Sequence, residues 1–124
     1  MSITFEQVSF SYVPLSKRQK KAGEKQKYAL RNVSFELRDG EFLAIAGHTG
    51  SGKSTLVQHL NGLANPTEGT VFWNGQNLAD RRVATQARGD IGVVFQYPEH
   101  QLFAASVAQD VAFGPRNLGL TEDE

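Results

Sequence analysis

The stretch Gly47-His48-Thr49-Gly50-Ser51-Gly52-Lys53-Ser54-Thr55 decides the fold of this chain. It fits the phosphate-loop pattern G-x-x-x-x-G-K-[ST]. The apolar run at residues 42–46 before it is typical of a strand buried on both faces. Leucines recur at helical spacing after it. A glycine-rich turn could fit the pattern by coincidence, but the flanking strand and helix favour a true phosphate loop.

The residue types of this loop match the chemistry of a triphosphate. Its glycines let backbone N–H groups approach phosphates closely, and the helix start adds unpaired donors and a positive dipole end. We expect Lys53 to reach the β- and γ-phosphates and Ser54 to bind Mg²⁺. Thr55 would place a hydroxyl near the α-phosphate. The loop residues predicted to contact the nucleotide are Gly47, His48, Thr49, Gly50, Ser51, Gly52, Lys53, Ser54 and Thr55.

Composition excludes several classes of protein. The chain has 124 residues, of which 40% are hydrophobic and 21% charged, as in a folded domain. Thirteen Lys and Arg balance thirteen Asp and Glu, so net charge gives no argument for a nucleic-acid partner. The chain has no cysteine, which excludes disulfides and thiolate metal sites. It shows neither a membrane-spanning apolar run nor a signal peptide, so we expect a cytosolic protein.

Two strands with alternating hydrophobic residues are predicted before the loop, at residues 2–10 and 28–37. The stretch at 15–27 between them is basic and has no hydrophobic period, which predicts a solvated surface loop. A lipid or RNA contact there is disfavoured because no aromatic residue is interleaved.

After the phosphate loop, the helix is expected to end near Asn61 and Gly62. Asn74-Gly75 predicts a hairpin, with Trp73 in the core or at a sheet edge. Residues 79–89 are predicted to form a loop with about one helical turn, and residues 91–95 a second buried strand. His48 is expected to be a variable loop position and His59 a surface residue.

The tail carries two helix-start patterns. Ser106 and Gln109 form a capping-box pattern, and Gly114-Pro115 is expected to stop the helix that it opens. Residues 121–124 show a second pattern of the same kind.

Two strands before a phosphate loop, and a buried strand ending at Gln96, resemble the ATP-binding subunits of ABC transporters. The resemblance implies that Tyr12 stacks on adenine, although alone it would be an ordinary tyrosine at a strand end. It also implies that Gln96 is catalytic together with Lys53, helping to hold Mg²⁺ with Ser54 and the attacking water. The implied fold class is an α/β phosphate-loop NTPase of ABC type. It would contain an antiparallel β subdomain and the start of a mixed or parallel core sheet, ending before the signature helix.

The segments FQYPEHQLF at 95–103 and DVAFGPRNLGL at 110–120 resemble the ATPase, or A component, of energy-coupling-factor transporters. The spelling of the loop and the long insert after Tyr12 are similar to the second of its two paired ATPases. The resemblance implies ATP hydrolysis that powers import of a vitamin or of cobalt or nickel ions. It also implies three partners at the cytoplasmic membrane face: a second ATPase, a transmembrane coupling subunit and a substrate-capture membrane protein. The residues implied at the membrane-partner interface are Pro98, Glu99, Gln101, Leu102 and Phe103. For Leu102 and Phe103, packing of the loop onto the core remains an equal alternative.

The sequence contains no apolar strand ending in Asp-Glu, no Leu-Ser-Gly-Gly-Gln and no later switch histidine. The resemblance therefore implies the N-terminal part of an ABC ATPase that binds MgATP and lacks turnover by itself. Its expected parts are 1–46 with the strands, 47–63 with the loop and helix, 64–95 with the hairpin and core strand, and 96–124 with the Q-loop. Exposed edges at residues 42–46 and 91–95 predict poor solubility. The alternative functions are a nucleotide-binding module without hydrolysis and, less favoured, a phosphate-loop kinase or GTPase.

Overall fold

The computed structural model describes residues 1–121 and 123–124, in two units, Met1–Gly92 and Val93–Glu124. The elements in chain order are β1 (Ile3–Phe10), α1 (Lys17–Lys21), β2 (Leu30–Leu37), α2 (Lys53–Leu60), β3 (Glu68–Trp73), β4 (Gln76–Asn77), α3 (Arg81–Asp90), a 3₁₀-helix (Pro98–Gln101) and α4 (Val107–Asn117). The helix-start pattern at 121–124 includes residue 122, which lies outside the described residues.

The first unit is built on an antiparallel sheet of order β2-β1-β3-β4, so both predicted strands before the loop are confirmed. The apolar positions of β1 skip a residue between Phe5 and Val8, which a strand of strict period 2 could not bury on one face. A β-bulge at this point, with Gln7 at φ 47°, returns both side chains to the core. On β3, a Cβ added to Gly69 would lie 2.2 Å from the Gln7 carbonyl oxygen, so the bulge requires glycine there.

The hairpin between β3 and β4 turns at Asn74 and Gly75, as the sequence predicts. Both residues have positive φ, 50° and 77°, which a type I′ turn demands and which Asn and Gly tolerate. Trp73, which precedes the turn, is 7% exposed and belongs to the core, as expected.

The core of the first unit lies between the sheet and helices α2 and α3. Its buried members are Ile3, Phe5, Val8, Leu30, Leu56, Val71, Trp73, Leu78 and Ala87. The rings of Phe5 and Phe35 stack with centroids 4.6 Å apart across β1 and β2. The helix after the phosphate loop ends where predicted, with Asn61 as its C-cap and Gly62 at φ 73°.

The two predicted core strands are not formed in the structure. Residues 42–46 and 91–95 adopt no strand, and Phe42 is 95% and Val94 79% exposed. A strand buried on both faces needs hydrogen-bonded neighbours and covering helices. No described residue pairs with either segment in a ladder.

The prediction of a loop with about one helical turn at 79–89 is wrong, because residues 81–90 form the ten-residue helix α3. Asp80 caps it by accepting a hydrogen bond from the Arg82 N–H at 2.8 Å. Ala84 and Ala87 are buried at 4% and 0% exposure, and Val83 packs against the core beside them. One valine and two alanines make a weak apolar stripe, and tertiary packing decides the conformation.

The basic stretch is a surface segment but not entirely a loop, because Ser16 and Gln19 form a capping box that starts the short helix α1. In the second unit, the capping pattern at Ser106 is confirmed: its side chain accepts from the Gln109 N–H at the start of α4. The predicted stop at Gly114-Pro115 is wrong, since α4 continues to Asn117. Pro115 removes one N–H donor, but its fixed φ is helical and only two helical residues follow it.

Candidate nucleotide-binding site

The phosphate loop is shaped by two glycines with positive φ, Gly50 at 86° and Gly52 at 96°. A Cβ at Gly52 would lie 2.6 Å from the carbonyl oxygen of Ala29, so this position cannot hold a side chain without moving the chain before β2. A Cβ at Gly50 would meet no atom within 4 Å. Gly52 is the N-cap of α2 and supplies no side chain to the first N–H groups of the helix. These N–H groups point out of the helix start, where an anion binds.

The ammonium group of Lys53 lies inside the loop. Its Nζ donates to the carbonyl oxygens of Gly47 and His48, the latter at 2.9 Å, and to the Ser51 hydroxyl at 3.3 Å. A lysine has three donors, and all three are used here on loop oxygens. A phosphate oxygen is an anionic acceptor and would form stronger, charge-assisted bonds than these neutral groups. The Lys53 ammonium group therefore lies where an incoming phosphate could replace the loop carbonyl and hydroxyl oxygens as its hydrogen-bond partners.

Thr55 connects the loop to Tyr12. The Tyr12 Oη and Thr55 Oγ1 atoms are 2.7 Å apart, and Thr55 is buried while the Tyr12 side chain is 64% exposed. A hydroxyl both donates and accepts, so Thr55 is able to accept from Tyr12 while donating to a phosphate oxygen. The edge of Phe10 packs against the Tyr12 ring at 4.9 Å between centroids. The structure thus brings Tyr12 to the loop; its stacking on adenine stays a prediction.

His59 is buried at 0% exposure, so the expectation of a surface histidine is wrong. Its Nδ1 donates to the Thr55 carbonyl oxygen at 2.7 Å, and Phe10 packs edge-on against its ring at 4.8 Å. Burial lowers the pKa of His59, opposed by the hydrogen bond to the Thr55 carbonyl and by the nearby carbonyl of Asn65. The sequence held a signal for this, because His59 lies three residues after the buried Leu56 on the same helix face.

His48 lies on the exposed surface of the loop, with its ring Nδ1 2.8 Å from the Thr49 carbonyl oxygen. Ser54 is also exposed, in the first turn of α2, where its hydroxyl is accessible to a metal ion. Among the described residues there is no group of three or more His, Asp or Glu side chains suited to a metal ion.

The remaining predicted site residues belong to the second unit. Gln96 is exposed at a bend that follows residues 91–95. The 3₁₀-helix Pro98–Gln101 comes next, and Leu102 and Phe103 after it are 69% and 65% exposed. The Phe103 and Ala104 N–H groups donate to the two carboxylate oxygens of Asp110, at 3.4 and 3.3 Å.

Phe103 packs edge-on against Phe113 of α4, with centroids 4.8 Å apart. This ring contact supports packing of Phe103 onto its own unit. The large exposed fraction of Phe103 leaves most of the ring accessible to a membrane partner, which is the alternative.

Comparison with known proteins also indicates an ABC transporter protein. The family described as ABC transporter matches residues 30–122, a range that includes the phosphate loop and Gln96. The energy-coupling factor transporter ATP-binding protein EcfA2 of Clostridium perfringens is 47% identical over 125 residues, which cover 100% of this chain and 41% of that protein.

Two solved structures are also similar to the chain. CbiO1 of C. perfringens, described as part of the ABC transporter complex cbiONQ, matches with a TM-score of 0.74 and 35% identity, over 98% of this chain and 44% of that one. MJ0796, described as a bacterial ABC transporter cassette in a dimeric structure, matches with a TM-score of 0.72 and 33% identity, over 96% and 48%.

The chain thus spans about two fifths of the length of the curated relative that it matches. The match of the family to most of the chain confirms the fold class and the family expected from the motifs. This protein belongs to the ABC transporter family, and within it the chain is similar to the ATP-binding subunits of energy-coupling-factor transporters.

Proposed function

We propose that the chain binds MgATP through its phosphate loop and serves an energy-coupling-factor ABC transporter as ATP-binding subunit. This proposal rests on the geometry of the phosphate loop, in which Lys53 donates hydrogen bonds to loop oxygens and Gly52 lies close to the Ala29 carbonyl group. A loop of this shape leaves backbone N–H groups and one ammonium group for an anionic ligand. The similarity of the chain to the ATP-binding protein EcfA2 supports ATP as that ligand.

The residues present fit MgATP. Lys53 and the loop N–H groups would hold the β- and γ-phosphates, and Thr55 the α-phosphate. Tyr12 would stack on the adenine. Ser54 would hold Mg²⁺, which neutralises charge on the phosphates when bound, and the resemblance to the family implies the same role for Gln96.

In the whole subunit, ATP hydrolysis would drive the import of a vitamin or of cobalt or nickel ions. Hydrolysis requires a group that positions or activates water. This sequence contains no apolar strand that ends in Asp-Glu. We therefore propose binding without turnover for these 124 residues by themselves, which is also the second candidate function, a binding module that acts through occupancy.

The proposed partners are a second ATPase, a transmembrane coupling subunit and a substrate-capture membrane protein. A dimeric cassette and a component of a larger transporter complex among similar structures support this assembly. Among the described residues, no helix is long and apolar enough to cross a membrane. We propose attachment to the cytoplasmic membrane face through these partners.

The surface proposed for the transmembrane partner consists of Pro98, Glu99, Gln101, Leu102 and Phe103. Exposed apolar side chains beside a short 3₁₀-helix are suited to receive a helix of another chain. Phe103→Ala should weaken capture of the coupling subunit, while Leu118→Ala, also an exposed residue of this unit, should not. Unchanged capture with Phe103→Ala would leave only the packing role against Phe113.

Titration with MgATP by calorimetry tests the central proposal. The chain should bind MgATP, and Lys53→Ala should abolish detectable binding because it removes the only Lys or Arg of the loop. Arg81→Ala, which removes an exposed cation of α3, is the matched control and should bind as the parent does. Phosphate release should stay at background in all three. Turnover by the parent that disappears with Lys53→Ala would refute binding without hydrolysis.

A further inference from the structure

The segment at residues 13–27, here called the insert, is tied to the end of β1 by one side chain, Gln26. Its amide nitrogen donates to the Ser11 hydroxyl at 2.6 Å and to the Val13 carbonyl oxygen at 3.0 Å. Its amide oxygen accepts from the Leu15 N–H at 2.8 Å. The Gln26 carboxamide thus connects the end of the insert to Ser11, Val13 and Leu15 at its start. We call this hydrogen-bonded closure the neck of the insert.

Beneath this neck lies a cavity of about 510 Å³, a size usual for small-molecule sites. Its lining is mainly apolar and aromatic, with two lysines and one glutamate. The lining residues are Ser11, Tyr12, Val13, Leu15, Glu24, Lys25, Lys27, Tyr28 and Ala29.

Two residues that line the cavity, Tyr12 and Ala29, also lie against the phosphate loop. The Tyr12 hydroxyl contacts Thr55 at 2.7 Å. The Ala29 carbonyl oxygen is the atom that a Cβ on Gly52 would strike. Lys25 and Lys27 add positive charge to the same wall as Tyr28. A ligand whose anionic end lies in the phosphate loop and whose aromatic end lies beside Tyr12 would therefore place that aromatic end against the insert.

We propose that the insert is a wall of the nucleobase and ribose site, and that Gln26 is the positioning residue that holds this wall in place. The proposal rests on nucleotide binding at the phosphate loop and goes beyond stacking on Tyr12. Gln26 does not line the cavity; it acts through the 11–15 segment, whose side chains do. Loss of Gln26 should loosen the wall and weaken ligands that carry a base, without affecting the phosphate cradle.

Two probes separate these contributions: MgATP, and magnesium tripolyphosphate, which has the phosphates but no base. Gln26→Ala removes the hydrogen bonds to Ser11, Val13 and Leu15, so we expect MgATP to bind about tenfold more weakly. Tripolyphosphate should bind as to the parent. Gln26→Glu keeps the shape but loses the amide donors, and should follow Gln26→Ala. Gln86→Ala, an exposed glutamine of α3, is the matched control.

Trypsin provides a readout on the parent chain that does not depend on how the variants fold. The insert contains six Lys and Arg residues, all exposed. Saturating MgATP should slow cleavage within residues 17–27, and saturating tripolyphosphate should not.

The possible outcomes distinguish failure of this proposal from failure of the proposed MgATP binding on which it rests. If the parent binds neither probe, the proposed function fails and this inference with it. If the parent binds both but Gln26→Ala weakens both equally or neither, the insert is structural only. Equal protection of the insert from trypsin by the two probes would overturn the proposal in the same way.

Discussion

Substitution of the two positive-φ glycines of the phosphate loop gives the sharpest test of its geometry. Gly50→Ala and Gly52→Ala both force alanine into left-handed backbone, at φ 86° and 96°. This strain costs about 1–2 kcal/mol in each variant. The stiffening of the unfolded chain by alanine, about 0.4–1 kcal/mol, is the same for both and cancels in the comparison.

The two variants differ in what the added methyl group meets. At Gly50 it meets nothing within 4 Å, whereas at Gly52 it would lie 2.6 Å from the Ala29 oxygen and 3.2 Å from the Leu30 Cδ2 atom. Backbone shifts that relieve such crowding cost about 1–3 kcal/mol. Gly52→Ala should therefore be the less stable variant by about 1–3 kcal/mol.

Urea unfolding followed by tryptophan fluorescence measures this difference. The chain has one tryptophan, Trp73, and it lies in the core of the first unit, which also contains the loop. For a chain of this size, a difference of 2 kcal/mol separates the two midpoints by about 1 M urea. Equal midpoints, or a lower midpoint for Gly50→Ala, would refute the contact between Gly52 and Ala29.

Three further predictions use the same assay unless stated. Phe5→Ala should cost about 3–5 kcal/mol because Phe5 is 2% exposed, whereas Phe42→Ala should change stability by less than about 0.5 kcal/mol because Phe42 is 95% exposed; a large effect at Phe42 would show that the 42–46 segment is buried. Asp80→Ala should destabilise α3 by about 1 kcal/mol and Asp80→Asn by much less, since either Asp or Asn caps a helix; equal losses would contradict the cap. Burial lowers the pKa of His59, so the unfolded chain binds the proton more tightly, and stability should fall as pH drops below about 6.5, by at most about 1.4 kcal/mol per pH unit for this group. A parent and a His59→Phe variant with the same pH dependence between pH 5 and 7 would exclude this contribution.

Local signals in the sequence predicted the parts of the site that depend on neighbours along the chain. The phosphate loop and the end of α2 follow from glycines and leucines at fixed spacing. The hairpin follows from Asn74-Gly75, because few other residue pairs tolerate its two positive φ values. For the same reason the family could be predicted: its motifs are short and ordered along the chain.

Other features of the structure depend on groups that are distant in sequence, and the sequence did not predict them. Gln26 binds Ser11 across the insert, a contact for which no sequence pattern exists. His59 is buried because Phe10 of β1 covers it, and α3 forms because the core accepts Ala84 and Ala87. The apolar run at 42–46 shows the converse, since a strand-forming pattern forms no strand among the described residues without a paired neighbour.

The sequence by itself determined the phosphate loop at residues 47–55, the strands that precede it and the ABC transporter family, because these rest on local spacing and backbone preference. Only the tertiary structure decided that Tyr12 reaches Thr55 and that a cavity lies beneath the neck of the insert. Each of these is a contact between segments that meet only when the sheet pairs and the helix docks. Hydrogen bonding and burial between distant residues, rather than local propensity, fix such contacts.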